Sequence, residues 1–211
     1  MVRALLNGTK TQTRRVVKNH VRGLPAWCEQ MKGRDDQPVP RWFVSRAETE
    51  RVGTTMPCPH GEAGDRLWVK ESAWITKPNF AEPQFASHPN GALVQYYASN
   101  PDSEGPDGYG IKRKPSIFMP RWASRITLEI TDVRVQRLQD ISEADAQAEG
   151  VQPYKHIGAE QRVPGPGFGG VLLMEQPHRL PFADLWDSIN GEDAWTANPW
   201  VWALTFKRVT P

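Results

Sequence analysis

Cysteine is scarce: Cys28 and Cys58 are the only two thiols in 211 residues. Two thiols cannot build a disulfide framework, and they suit a chain working in a reducing cytoplasm. Long apolar runs are missing as well. No stretch approaches the ~18 apolar residues needed to cross a bilayer, so no membrane partner is expected. The N-terminus shows no apolar run followed by a small-residue cleavage site, so secretion is not expected either. Net charge is close to nil, with 26 Lys and Arg against 24 Asp and Glu, and on its own it names no partner. No internal repeat is visible. A membrane protein, a secreted scaffold and a coiled coil are therefore not expected. At 38% hydrophobic and 24% charged residues the chain has the make-up of a folded protein, not a disordered one.

Glycine and proline are plentiful instead, with 17 and 19 copies. They punctuate a chain of short elements. Val2–Asn7 reads as a short helix stopped by Gly8. The Thr-rich run from Thr9 to Val17 reads as extended. Strands are expected at Arg66–Glu71, Leu93–Ala98, Arg125–Leu138 and Trp200–Val209, where apolar residues alternate. A helix over 143–149 has Ser142 as N-cap, Asp145 as capping-box acid and Gly150 at its end. A last helix begins near Pro181, carries Phe182, Leu185, Trp186 and Ile189 at helical spacing, and stops at Gly191. Residues 23–63, 76–120 and 151–180 are rich in turn formers and read as long insertions. The fold class is then α+β and mostly β, a single domain over 1–211: a small antiparallel β-barrel with short flanking helices.

The balanced charge hides a local asymmetry. Residues 1–28 hold Arg3, Lys10, Arg14, Arg15, Lys18 and Arg22 and no acid. A second basic run, Lys112-Arg113-Lys114, is followed by Phe118 and then Arg121-Trp122 and Arg125. A segregated cationic face suits a phosphate-bearing partner, and arginines covering the surface of a Trp-rich fold would look the same.

Two motifs fail on inspection. Gly165-Pro-Gly167-Phe-Gly-Gly170 has the letters GxGxxG, but no strand precedes it and no helix follows, so it has no helix N-terminus for a phosphate. Cys58-Pro-His60, even with Cys28 and His20, lacks a standard ligand spacing. No metal and no cofactor are expected.

Lys10, Thr13 and Glu149 are the constellation with chemistry in it. A lysine neutralised by burial or by Arg14 and Arg15 would take a proton from Thr13, which would attack a carbonyl. Glu149 would position the substrate or pass the proton to a leaving amine. The same residues also fit a solvated strand start and a surface glutamate. Trp68 and Trp122, beside Arg66 and Arg121, are the rings best placed to stack on a base. Glu71 would accept from a base edge or pair with an arginine.

Gly8-Thr-Lys10-Thr-Gln-Thr13-Arg14-Arg15, Gly64-Asp-Arg-Leu-Trp68-Val-Lys-Glu71 and the closing Trp202-Ala-Leu-Thr-Phe206-Lys resemble an ASCH domain, a PUA-like β-barrel family linked to RNA and modified nucleosides. Met119-Pro-Arg121-Trp122-Ala-Ser-Arg125-Ile126 and the run from Ile141 to Gly150 resemble the larger phage and prophage members, which implies a host-cell cytoplasmic location. The small bacterial N4-acetylcytidine amidohydrolases of the same superfamily use a Lys, a Thr and a Glu in a Gly-x-Lys-x-x-Thr pattern that falls on Gly8, Lys10 and Thr13, with the glutamate on Glu149. The resemblance implies Lys10 as base, Thr13 as nucleophile and Glu149 as proton shuttle. Arg14, Arg15, Trp68, Glu71, Arg121, Trp122 and Arg125 are expected as binding residues for a modified nucleoside, RNA or single-stranded nucleic acid. A non-catalytic binding module, a ribonuclease and a structural phage protein are its alternatives. A monomer is expected. The chain departs from those hydrolases in its long insertions and in lacking a strand before the first helix.

Overall fold

The computed structural model describes residues 1–18, 57–77, 88–102, 105, 111–153 and 177–209 in full, and 27–32, 38–47 and 50–55 by their backbone. The described residues are mostly β with a few short helices. They fall into two compact units. One comprises Met1–Gly8, Arg66–Glu129 and Lys207–Pro211, and the other comprises Thr9–Asp65 and Ile130–Phe206.

In the second unit, β1 (Gln12–Val16) pairs antiparallel with β10 (Trp200–Val209), from Gln12 opposite Thr205 to Val16 opposite Val201. On its other side β10 neighbours β9 (Thr127–Arg137). Val201, Trp202, Ala203 and Leu204 are all buried. A strand covered on both faces reads as a continuous apolar run, and this one does. β1 inverts the usual pattern, because its buried residues are the polar Gln12 and Arg14.

Helix α1 (Val2–Leu6) belongs to the first unit and ends as its sequence foretells, with Gly8 at φ +73°. α2 (Glu143–Ala148), in the second unit, starts at Ser142, whose Oγ accepts from the Asp145 N–H at 3.1 Å, and ends before Gly150 at φ +78°. The capping box is only half made. Asp145 does not serve its own helix start, because its carboxylate is taken by side chains of β1 and β9. α3 (Arg179–Asn190) is fixed to α2 through Glu143, whose carboxylate accepts from the backbone N–H groups of His178 at 2.6 Å and Arg179 at 3.0 Å. Its buried stripe is narrow. Phe182 and Trp186 join Leu138, Ile141, Ala146 and Val201 in the core of this unit, while Leu185 and Ile189 face outward.

The insertion expected over 23–63 from its turn formers carries regular strands. β2 (Trp27–Lys32), β3 (Pro38–Ala47) and β4 (Glu50–Thr55) form an antiparallel meander with β3 in the middle. Pro38 and Pro40 tolerate a strand because both lie beyond the reach of β4, which pairs with β3 only from Arg41 onward.

In the first unit, β5 (Arg66–Trp68) pairs with Thr127–Glu129 of β9. The strand expected to continue to Glu71 stops at Trp68, and a separate β6 (Ala73–Ile75) begins after four residues outside any strand. β6 lies between β7 (Val94–Tyr96) and β8 (Arg113–Lys114). Its core is Ala73, Ile75, Ala92, Val94, Met119 and Ala123, with Tyr96 and Trp122 packed against it. The turn-rich insertion expected over 76–120 thus supplies two short strands and part of a core. Most of the third insertion, 154–176, and with it the Gly165–Gly170 run, lies outside the described residues, as does His20. Among the described residues no helix is long and apolar enough to cross a membrane.

Candidate functional site

Two periodicities build the site. Side chains two apart on an extended chain share a face, so Lys10, Gln12 and Arg14 point the same way. Residues four apart on a helix also share a face, which aligns Asp145 with Glu149 one turn on. The two rows meet because the end of α2 is stitched to the start of β1. Lys10 and Glu149 form an isolated antiparallel bridge, and the Thr11 N–H donates to the Ala148 carbonyl at 2.8 Å.

The result is a buried lattice of charge. Lys10 Nζ donates to Glu149 Oε2 at 2.6 Å and to the Glu149 carbonyl at 2.8 Å. Arg14 Nη1 donates to the other carboxylate oxygen of Glu149 at 3.1 Å and to Gln12 Oε1 at 2.8 Å. Arg14 Nη2 reaches Asp145 at 3.2 Å, and Gln12 Nε2 reaches it at 2.8 Å. Arg134 of β9 donates to Asp145 at 3.3 Å and lies 3.1 Å from Asp132. The Arg14 side chain is 0% exposed, against 9% for Lys10 and 6% for Glu149. Asp145 at 18% and Arg134 at 37% form the more exposed side of the lattice, while Lys10, Glu149 and Arg14 lie deeper.

Burial pulls the Arg14 guanidinium below its ordinary value, and the charges of Glu149 and Asp145 oppose that shift without cancelling it. For Asp145 burial acts to raise the carboxyl. The hydrogen bond from Gln12 and the charges of Arg134 and Arg14 outweigh it, so the net displacement is downward. Lys10, Arg14 and Arg134 face Asp132, Asp145 and Glu149, so the lattice is balanced in formal charge.

Compared with known proteins, the chain matches no family model, no curated protein and no solved structure. The site therefore rests on its own geometry.

Of the residues singled out from sequence, the structure brings Lys10, Arg14 and Glu149 together. Strand alternation puts Thr13 on the opposite face of β1, where it is half-buried, and Arg15 is exposed. Gln12, Asp145 and Arg134 were missed. Lys-x-Gln-x-Arg at strand spacing against Asp-x-x-x-Glu at helix spacing is the signal that would have found Gln12 and Asp145; neither pattern reaches Arg134.

The other named residues belong to the first unit. Glu71 is 2% exposed, and both its oxygens are held by Arg125, from Nε and Nη2 at 2.9 Å each. Arg125 in turn lies over the Tyr96 ring, 3.9 Å from its centre. Glu71 thus pairs with an arginine. Trp68 is half-buried with Lys70 Nζ 5.0 Å from its ring centre. Trp122 is half-buried against the core and 4.9 Å from the His88 ring, while Arg121 is exposed.

Cys58 is a free thiol that burial pushes up from its ordinary value. Burial, with Arg15 and Lys18, pulls His60 down. Among the described residues no group of three or more His, Cys, Asp or Glu is placed to hold a metal.

Proposed function

We propose that the chain is a hydrolase removing an acyl group from the exocyclic amine of a modified cytosine nucleoside, with Lys10 and Glu149 as its reacting pair. One observation carries the proposal: two ionisable side chains 139 positions apart meet at 2.6 Å in a buried setting, with 9% and 6% of their side chains still exposed. A closely paired acid and base within a charge lattice is an arrangement that suits acyl transfer.

In the forward direction Glu149 takes a proton from the attacking nucleophile, which adds to the acyl carbonyl. The Lys10 ammonium, aimed by its two bonds to Glu149, donates to the oxyanion that forms. The tetrahedral intermediate collapses with cleavage of the C–N bond, and Glu149 returns the proton to the departing amine. The products are a free carboxylic acid and the unmodified base. Thr13, facing away from Lys10, gives this pathway no nucleophile, so the attacking group is a water. Arg14 holds Glu149 and does not bind substrate.

The test is incubation with N4-acetylcytidine, followed chromatographically to cytidine. Turnover should vanish in Lys10→Ala and Glu149→Gln and survive in Thr13→Ala. Loss in Thr13→Ala with the fold intact would restore threonine as the nucleophile. No turnover by the unaltered chain at high concentration would sink the deacylase proposal.

A further inference from the structure

Arg14 grips Glu149 through Nη1 alone, and other residues of the second unit decide where that nitrogen points. The guanidinium is planar, and its N–H groups leave it in fixed directions. Nη1 donates to Gln12 Oε1 at 2.8 Å as well as to Glu149 Oε1 at 3.1 Å, so both of its N–H groups are engaged. Nη2 reaches Asp145 Oδ2 at 3.2 Å. Nε has no hydrogen-bond partner among the described residues. With one Nη1 proton pinned to Gln12 and Nη2 pinned to Asp145, the other Nη1 proton is aimed at Glu149.

Gln12 is itself locked. It is 5% exposed, and its Nε2 donates to Asp145 Oδ1 at 2.8 Å and to Thr205 Oγ1 at 3.3 Å, from the residue opposite it on β10. Turning the amide over would set its NH2 against the guanidinium and its carbonyl against the Asp145 carboxylate. Two repulsive contacts would replace two charge-assisted bonds. Arg14, Gln12 and Asp145 therefore close a ring of three hydrogen bonds in which each member has one orientation. Glu149 hangs from that ring by Oε1, while Lys10 holds Oε2.

We propose that Gln12 is a positioning residue for Glu149, acting through Arg14, and that Asp145 closes the ring that makes it so. The proposal rests on the hydrolase reading, in which Glu149 must turn a lone pair toward the attacking water. Both of its oxygens are already gripped, so the direction of the remaining lone pairs follows the plane of the carboxylate, and Arg14 sets that plane. Without the Gln12 acceptor, the freed N–H lets the guanidinium swing into a two-pronged grip on one carboxylate, the pairing arginine favours. The plane of Glu149 then turns with it. Both ends of the Gln12 amide are taken within the lattice, so Gln12 acts on the rate and not on substrate binding.

The experiment uses the whole chain and two readouts. With N4-acetylcytidine, Gln12→Met should lower kcat on the order of 100-fold, as misplacing a reacting group does, and leave KM within about 2-fold. Gln12→Glu keeps an acceptor for Arg14 but sets a second carboxylate against Asp145, and should be as slow. Adding Asp145→Asn reverses the bond between the two positions: the introduced amide donates to the introduced carboxylate, and its oxygen still accepts from Arg14. Arg134 keeps Asp132, 3.1 Å away. The double variant should therefore recover kcat to within about 10-fold of the parent, whereas two purely structural defects would add. The second readout, heteronuclear NMR of the guanidinium groups, needs no turnover. Arg14 Nη protons should exchange slowly in the parent and the double variant and rapidly in Gln12→Met. A parent-like kcat in Gln12→Met would overturn the proposal, as would a raised KM at unchanged kcat. So would a double variant that is folded by circular dichroism and does not recover. Absence of turnover by the parent would instead sink the hydrolase reading. The NMR comparison would then decide the claim on its own, and unchanged Arg14 signals in Gln12→Met would overturn it.

Discussion

Replacing Arg14 by methionine tests the charge lattice most directly. The side chain is fully buried, and its three hydrogen bonds end on Gln12, Glu149 and Asp145. Methionine keeps most of the aliphatic volume and removes the guanidinium. Breaking a buried ion pair from one side costs ~3–5 kcal/mol, because the surviving partner is left desolvated. Here the surviving carboxylates retain other donors, Lys10 for Glu149 and both Gln12 and Arg134 for Asp145. The destabilisation should therefore fall at the lower end, about 3 kcal/mol. In a chain of this length that lowers the melting temperature by roughly 6–12 °C. Urea denaturation followed by circular dichroism, with the m-value checked for constancy, measures the effect. Because Arg14 and Asp145 share a bond, the double variant Arg14→Met with Asp145→Asn should fall short of additivity by about 1 kcal/mol. A destabilisation below about 1 kcal/mol with strict additivity would refute the view that Arg14 holds the two carboxylates in place.

Two further outcomes follow from the same geometry. Asp145 has its folded-state value depressed below the ordinary 3.8, so between those two values the unfolded chain binds the extra proton. Its contribution is complete above about 3.8 and is lost as pH falls through the folded value, and Asp145→Asn should flatten the stability profile in that window. In the first unit, Arg125→Met strands the buried Glu71 carboxylate and should cost about 3 kcal/mol, readable as a lowered thermal midpoint that the companion change Glu71→Gln largely restores.

The local signals in the sequence are strong where chemistry acts at short range. Gly8 and Gly150 sit at helix ends in the left-handed region, Ser142 caps α2, and the strands over 127–137 and 200–209 are legible because their burial is one-sided or complete. The meander at 27–55 is hidden by its prolines, which weaken a strand only where a neighbour needs the missing N–H. β6 is hidden because its three residues, Ala73–Ile75, are too few for any periodicity to register. At the site, Lys10 and Glu149 stand out as a pair in the sequence and do meet. Which face each residue of Thr9–Val17 presents depends on where the strand begins, and no local signal fixes that. Thr13 is accordingly grouped with Lys10 by sequence, although one-residue alternation separates them, and Gln12 and Asp145 are passed over. The roles of Trp68 and Trp122 turn on which neighbours cover them, a property of tertiary packing that single residues do not reveal.

The pairing of β1 with β10 also bears on how the chain is made. Translation finishes the first of these strands at Val16 and does not begin the second until Trp200. At 5–20 residues per second the early strand waits on the order of 10–40 s for its neighbour. An apolar strand left open that long would invite pairing with other nascent chains. β1 is Gln-Thr-Arg-Arg-Val, four polar residues in five, and a sequence that repels its own copies can withstand the delay. The polar inner face that creates the charge lattice in the finished protein therefore also guards the unfinished one on the ribosome.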